Sequence, residues 1–286
     1  MGEHRLGRAA QERSQPLISP FGGRENTLQL SGPFPARMIC AKGGAFCHFQ
    51  TVYRPLLDDL KPQPERLYGR QRGHPLRPRQ QRLLDEALPR VHFRNMAEPL
   101  KGFGKPVSQL FLEIGFGGGE HAFDQAAQNP DTGYIASEVF DNGVCSLLSR
   151  IIPEGEEAIA PGPDNLRLWA EDGRQLLKGL PDGCLDRAYL MFPDPWPKAR
   201  HTKRRFIHPE NIRQMARLLK PGAHWRVASD HPVYQEWVTE VMGQQDLFEA
   251  PAPALERPEG WSPTRYEAKA FREGRQPFYW TFTRKG

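Results

Sequence analysis

From Val107 onward, short apolar runs alternate with segments whose apolar residues recur at three- and four-residue spacing. The runs Gln109–Ile114, Gly133–Val139, Asn165–Ala170, Leu185–Phe192 and His224–Ser229 predict buried strands, and the aromatic, β-branched run Phe278–Arg284 predicts a last one. Glu120–Gln128, Asn142–Ile152, Gly173–Leu180, Pro209–Leu219 and Pro232–Met242 predict helices. Pro209 suits a first helical position, and Lys220-Pro221-Gly222 is a stop signal for the same helix. Strands alternating with helices imply an α/β fold, doubly wound on a mostly parallel sheet.

Upstream the pattern is weaker. Arg79 to Leu88, after Pro78, predicts one short helix ended by Pro89, with arginines on its exposed face. Residues 1–60 show no sustained period and predict a poorly structured N-terminal extension. The expected organisation is that extension, a basic segment over 61–106, and one enzyme domain over 107–286, without internal repeats.

Composition narrows the class. A chain of 286 residues with 38% hydrophobic positions can bury one good core. No apolar run approaches the length of a membrane span, and the start lacks the charged-then-apolar order of a signal peptide. Cys40, Cys47, Cys145 and Cys184 form no C-x-x-C pair, which predicts a reducing, cytoplasmic setting. Cys40, Cys47 and His48 lack the further close ligands of a structural zinc site, so no metal is expected.

The location of the charge says more than its total. Arg66 to Arg94 holds eight arginines against Asp85 and Glu86, a local +6, and Lys198 to Arg205 adds five cations with no acid. Since the whole chain sums to +5, everything else carries −6. Two basic segments on an acidic body suit a polyanion-binding face; solvated basic stretches are the bland alternative.

Candidate chemistry gathers at the predicted strand ends. Leu112-Glu113-Ile114-Gly115-Phe116-Gly117-Gly118-Gly119 follows the first strand, and glycines there allow positive φ and close approach to a ligand. A nicotinamide fingerprint needs a third glycine at position 120, where Glu120 stands. Glu113, at the strand tip, would repel a pyrophosphate and attract an ammonium or sulfonium group. Glu138 ends the next strand 25 residues on, where a carboxylate accepts from ribose hydroxyls. Asp172 follows the third strand and either accepts from an adenine amino group or caps the helix at Gly173. Together these acids favour a cationic nucleoside.

The fourth strand runs into Phe192-Pro193-Asp194-Pro195-Trp196-Pro197-Lys198-Ala199 and then Arg200-His201-Thr202-Lys203-Arg204-Arg205. Three prolines fix φ and remove three donors, which places Asp194 on a stiff loop at a sheet's carboxyl end, beside a polycation.

With those residues assembled, the chain resembles the bacterial tRNA (guanine-N7)-methyltransferases, within the class I S-adenosylmethionine-dependent methyltransferases. The 192–205 block is the most specific part of the match, supported by Glu113 to Gly117, Ser137 to Val139, Ala228 to Asp230 and Thr264 to Glu267. The likeness covers roughly Arg66 to Arg284 and departs at Pro197 and Gly118, where that family often has a polar and a larger residue. It implies a Rossmann-like seven-stranded sheet with an antiparallel C-terminal strand. The implied activity is methyl transfer from S-adenosyl-L-methionine to N7 of a guanine in the tRNA variable loop.

By resemblance, Glu113, Gly115, Gly117, Glu138, Asp172 and Asp194 contact cofactor, and Asp194 is also catalytic. Lys198, Asp230, Thr264, Arg265, Tyr266 and Glu267 contact substrate, while Arg200, His201, Thr202, Lys203, Arg204 and Arg205 contact RNA. Asp230 and Glu267 can accept from guanine N1–H and its exocyclic amine; Trp196 and Tyr266 either stack on a base or pack the loop. The basic 61–106 segment would be a second RNA contact. The partner implied is tRNA, with no membrane and no obligate protein partner; monomer and homodimer are both open. Two alternatives stand beside this reading: a class I methyltransferase acting on another RNA or an amide nitrogen, and a non-catalytic RNA-binding module on the same scaffold.

Overall fold

The chain is described from a computed structural model, over residues 60, 62, 63, 67 and 71–286. The expectations for residues 1–59, with Cys40, Cys47 and His48, and for Arg66 and Arg70 lie outside the described residues.

Among the described residues one seven-stranded sheet runs β3-β2-β1-β4-β5-β7-β6. Its strands are β1 (Gln109–Ile114), β2 (Thr132–Ser137), β3 (Leu166–Trp169), β4 (Leu185–Met191), β5 (Leu219–Ser229), β6 (Phe248–Glu249) and β7 (Phe278–Arg284). Pairing is parallel from β3 through β5, while β7 runs antiparallel to both β5 and β6. The doubly wound α/β arrangement and the antiparallel last strand are both as expected.

Alternation along the strands builds two cores. Leu110, Leu112 and Ile114 face one side, where α5 (Gly173–Gly179), α6 (Pro209–Leu218) and α7 (Pro232–Gly243) pack, and Trp225, Trp237 and Trp280 fill that layer. Phe111 faces the other side with Tyr134, Tyr189 and Met191, covered by α3 (Glu120–Gln128) and α4 (Asp141–Ile151). By the same alternation Glu113 points toward α3, beneath the glycine loop rather than out of the strand tip.

Two local expectations are corrected. The helix after Pro78 does not end at Pro89: α1 (Pro78–Arg82) continues through a π-helical turn (Leu83–Ala87) into α2 (Leu88–Val91). The Leu88 N–H bonds the Leu83 carbonyl, a widened turn that lets the helix carry a proline with no N–H of its own. Lys220-Pro221-Gly222 does stop α6, but the chain is already in β5 there; the register jumps between Leu185–Leu219 and Arg187–His224, so the stop signal forms a bulge inside a strand.

The 78–93 stretch is part of the domain rather than a separate basic segment. Leu83, Ala87 and Val91 are wholly buried in the core that holds Val144, Leu147 and Leu148, and the Phe93 N–H donates to the Leu168 carbonyl at 2.8 Å. Its arginines face inward as well as outward. Arg79 Nε sits 2.9 Å and Arg82 Nε 3.5 Å from the Glu157 carboxylate, which is 3% exposed, and Arg90 donates to the carbonyls of Glu86, Glu157 and Ala160.

The Arg79 guanidinium holds the Glu157 carboxyl at about 2. A carboxyl depressed in the folded state adds stability above its unfolded pKa of about 4.3, and that stability is lost as pH falls through the folded value. Arg79→Ala should therefore lower the melting temperature at pH 7, and the gap from the parent should close between about pH 4 and pH 2; thermal melts across that range measure it.

Candidate functional site: a crevice between the glycine loop and the Pro-Asp-Pro loop

The strand order reverses at β1, so the chain leaves β1 and its neighbour β4 in opposite directions and a crevice opens beyond their carboxyl ends. One wall is the glycine loop. Gly115, Gly117 and Gly119 have φ of 74°, 58° and 77°, a region closed to most side chains. The Gly115 N–H donates to the Ser137 carbonyl at 2.7 Å, which ties the loop to the end of β2. An added Cβ at Gly115 meets nothing within 4 Å; the backbone there faces open space.

Glu138 organises the floor. Its Oε2 accepts from the Gly117 N–H at 2.8 Å, and its Oε1 accepts from the N–H groups of Val139 and Phe140 at 2.8 and 3.0 Å. A carboxylate has about four acceptor sites, so one is left, on Oε2, for a ligand hydroxyl. Burial raises the Glu138 pKa, the three N–H bonds oppose that rise, and the Asp194 charge adds to it. Two carboxylates repelling across a cavity are relieved by a cation between them.

The other two acids are placed differently. Asp172 is the N-cap of α5, accepting from the Arg174 N–H at 3.0 Å and pairing with the Arg174 guanidinium at 2.6 Å. Burial raises its pKa, but the Arg174 hydrogen bonds outweigh that and hold it below the ordinary range. It still lines a smaller cavity of about 150 Å³ that shares Gly115, Glu138 and Val139 with the main one. Glu113 is 1% exposed and lines neither: its Oε2 accepts from the Tyr134 hydroxyl at 2.6 Å and lies 2.9 Å from His121 Nδ1. A direct ligand contact, the expectation for Glu113, gives way to a buried carboxyl held behind the loop by Tyr134 and His121.

The facing wall is the proline loop. Phe192 and Trp196, two residues to either side of Asp194, have φ of 52° and 42°, a strained region for bulky side chains that costs about 1–3 kcal/mol each. Asp194 lies exposed on this wall and lines a cavity of about 370 Å³ with Gly115, Gly117, Glu138 and Tyr266. Past it, Ala199–Arg204 forms a 3₁₀ helix. Lys198 and Arg200 are exposed, and His201, Thr202 and Lys203 half-buried. Burial, with Arg204, Arg200 and Lys198, holds the His201 imidazole below its usual pKa. Arg204 stacks 4.9 Å over the Trp196 ring and lines both cavities. Arg205 departs from the expected RNA contact: it is 3% exposed and bonded to the loop itself.

The remaining substrate positions are split. Tyr266, 40% exposed, reaches the cavity beside Gly117, with Arg265 stacked 5.0 Å over its ring. Thr264 caps α8 (Arg265–Arg272) by accepting from the Glu267 N–H at 3.0 Å. The Glu267 carboxylate is turned into the protein, where it accepts from the Tyr279 hydroxyl and from Arg257 Nη1 at 2.7 Å. Asp230 is ion-paired to Arg275 at 2.7 Å. Neither acid lines the 370 Å³ cavity.

A family model described as "Putative methyltransferase" matches residues 107–279. A tRNA (guanine-N(7)-)-methyltransferase of Granulibacter bethesdensis is 63% identical over 79% of this chain and 98% of its own length. Its counterpart in Rhodospirillum rubrum is 47% identical over 77% and 88%, and that of Zymomonas mobilis 44% over 77% and 94%. The chain belongs to the tRNA (guanine-N(7)-)-methyltransferase family. Among solved structures, the 16S rRNA methyltransferase KamB aligns at a TM-score of 0.45 and 17% identity, over 63% of this chain and 89% of its own.

The residues of this methyltransferase fit S-adenosyl-L-methionine. Gly115 leaves room for a nucleoside against the backbone, Glu138 keeps one acceptor site, and the Glu138 and Asp194 charges suit a sulfonium. Among the described residues no group of acids, histidines and cysteines is arranged to hold a metal. Burial raises the Cys145 and Cys184 thiols to about 11, which leaves them inert.

Sequence reasoning missed Phe140, Phe206 and Gly143. Phe140 and Phe206 line the cavity, and nothing in their local sequence marks them. Gly143 carries a signal: a glycine inside a helix sacrifices about 1 kcal/mol and asks for a reason. A Cβ there would stand 2.4 Å from the Gly117 carbonyl oxygen. Gly143→Ala should push the glycine loop off α4 and weaken S-adenosyl-L-methionine binding by roughly tenfold, about 1.4 kcal/mol, with the fold retained; calorimetric titration beside circular dichroism separates the two.

Proposed function

We propose that this chain transfers the methyl group of S-adenosyl-L-methionine to N7 of a guanine in the tRNA variable loop. One observation carries the reading: Glu138 and Asp194 share a 370 Å³ cavity that Arg204 also lines, directly beside the basic run Lys198 to Arg204. The relatives' name fits the same chemistry.

Bound S-adenosyl-L-methionine supplies a methyl carbon on a positively charged sulfur. Guanine N7 has an in-plane lone pair and no proton, so forming the N–C bond requires no general base. Transfer would move positive charge onto the purine. Asp194, on a backbone fixed by Pro193 and Pro195, is a preorganised negative charge for that movement and an acceptor for base N–H groups. The stiff loop would also orient the base toward the methyl donor.

Tyr266 is the aromatic placed to stack on the base, because it is exposed and borders the cavity. Thr264 sets its direction by starting α8. Lys198, Arg200, His201, Thr202, Lys203 and Arg204 hold the flanking phosphates. Asp230 and Glu267 act through their ion pairs with Arg275 and Arg257, which fix the segments bordering the substrate. Glu113, with Tyr134 and His121, supports the glycine loop from behind. No helix among the described residues is long and apolar enough to cross a membrane.

Asp194→Asn should reduce methyl transfer to unmodified tRNA on the order of 100-fold at saturating cofactor, and weaken cofactor binding as well, because the lost charge is one of the two that suit a sulfonium; single-turnover assays read the rate, and a parental rate removes the role. In the parent protein, mapping labelled product at a base other than 7-methylguanine overturns the proposed specificity.

Affinity for tRNA should fall steeply with salt, each phosphate neutralised by the protein adding about 0.7–0.9 to the logarithmic slope. Lys198→Ala with Arg200→Ala should therefore flatten it by about two such steps; filter binding across a salt series checks this.

A further inference from the structure

Arg205 ends a run of cations, and by charge alone it joins the others on the RNA. Its surroundings say otherwise. The side chain lies 4.7 Å over the Trp237 ring, and its Nε donates to the Pro195 carbonyl at 3.1 Å while Nη2 donates to the Trp196 carbonyl at 3.0 Å. Those carbonyls belong to the two residues that follow Asp194, and Trp196 is held at φ of 42°. A guanidinium presents a rigid fork of donors, so one side chain can bridge successive carbonyls, which a lysine ammonium cannot do with the same geometry.

Further contacts fix the fork itself. The Arg205 N–H donates to the Thr202 carbonyl at 3.0 Å, and the Arg205 carbonyl accepts from Gln63 Nε2 at 2.8 Å. Gln63 also receives a hydrogen bond from Asn211 Nδ2 at 3.0 Å, and its own N–H donates to the Glu210 carboxylate at 3.2 Å, both at the start of α6. The clamp is thus anchored to a helix rather than to the loop it holds.

We infer that Arg205 is a positioning residue for methyl transfer, which clamps the Pro195 and Trp196 carbonyls to hold Asp194 in its strained loop and makes no contact with RNA phosphate. This rests on the catalytic reading of Asp194. Removing the clamp lets Trp196 relax toward negative φ and moves the carboxylate off the substrate, so the loss falls on turnover; removing a phosphate-binding cation instead falls on tRNA affinity and its salt slope.

Arg205→Lys and Arg205→Ala are assayed beside Asp194→Asn and Arg200→Ala. The expected result is a kcat at least tenfold down for both Arg205 variants, with KM for tRNA and the salt slope of binding as in the parent, while Arg200→Ala flattens the slope. Parental kcat in Arg205→Lys, or a slope flattened in Arg205→Ala as it is in Arg200→Ala, overturns the clamp. If Asp194→Asn keeps the parental rate, the catalytic reading of the loop fails; if Asp194→Asn loses it and Arg205→Lys does not, only the clamp fails.

A second measurement needs no variant. With phenylglyoxal as guanidine reagent and mass spectrometry as readout, Arg205 should resist modification with or without tRNA, and Arg200 should react freely and become protected by tRNA. Modification of Arg205 in the free protein, with protection by tRNA, overturns the inference.

Discussion

Setting β1 between β2 and β4, parallel to both, obliges the chain to depart from adjacent strands toward opposite halves of the sheet. The gap this creates at the carboxyl ends cannot be closed by main-chain pairing, because the next residues on each side are already turning away. A glycine-rich turn on one side and a proline-rich turn on the other are two solutions to leaving a strand abruptly. The first depends on freedom at positive φ, the second on restricted freedom. Their meeting gives the crevice one wall that admits a ligand against bare backbone and one that holds a charge still.

The acids around that crevice differ because their neighbours differ. Asp172 is compensated by Arg174, Glu113 by Tyr134 and His121, and Glu138 by three main-chain N–H groups. Main-chain donors satisfy a carboxylate without neutralising it. Glu138 therefore faces the crevice beside Asp194 through main-chain donors alone, whereas Asp172 has the Arg174 guanidinium against it.

Much of this was legible in the sequence. Gln109–Ile114 and Phe278–Arg284 fall where the pattern places them: β1 is buried on both faces from Leu110 onward and leaves a mostly apolar run, while β7 is marked by its aromatic and β-branched residues. Pro89 and Pro221 misled for a common reason: a local breaking rule was absorbed, by a π turn in one case and a bulge in the other, where surrounding packing held the element together. Glu113 was misplaced although strand parity assigns it to the α3 face. Arg205 looks like its neighbours in sequence; its bonds to the Pro195 and Trp196 carbonyls and the approach of Trp237, 32 residues away, separate it from them. β6, two residues long, leaves no periodic trace.

The bonds from Glu138 to the N–H groups of Val139 and Phe140 have an electrostatic consequence for α4. Phe140 is the N-cap of that helix and lines the crevice, so the amino end of eleven aligned peptide dipoles, equivalent to about half a positive charge, is aimed near the ligand. Uncovered, that end attracts phosphates and repels a sulfonium. With a carboxylate seated on it the sign of the field reverses, and a fold widely suited to nucleotide phosphates becomes one that receives a cation.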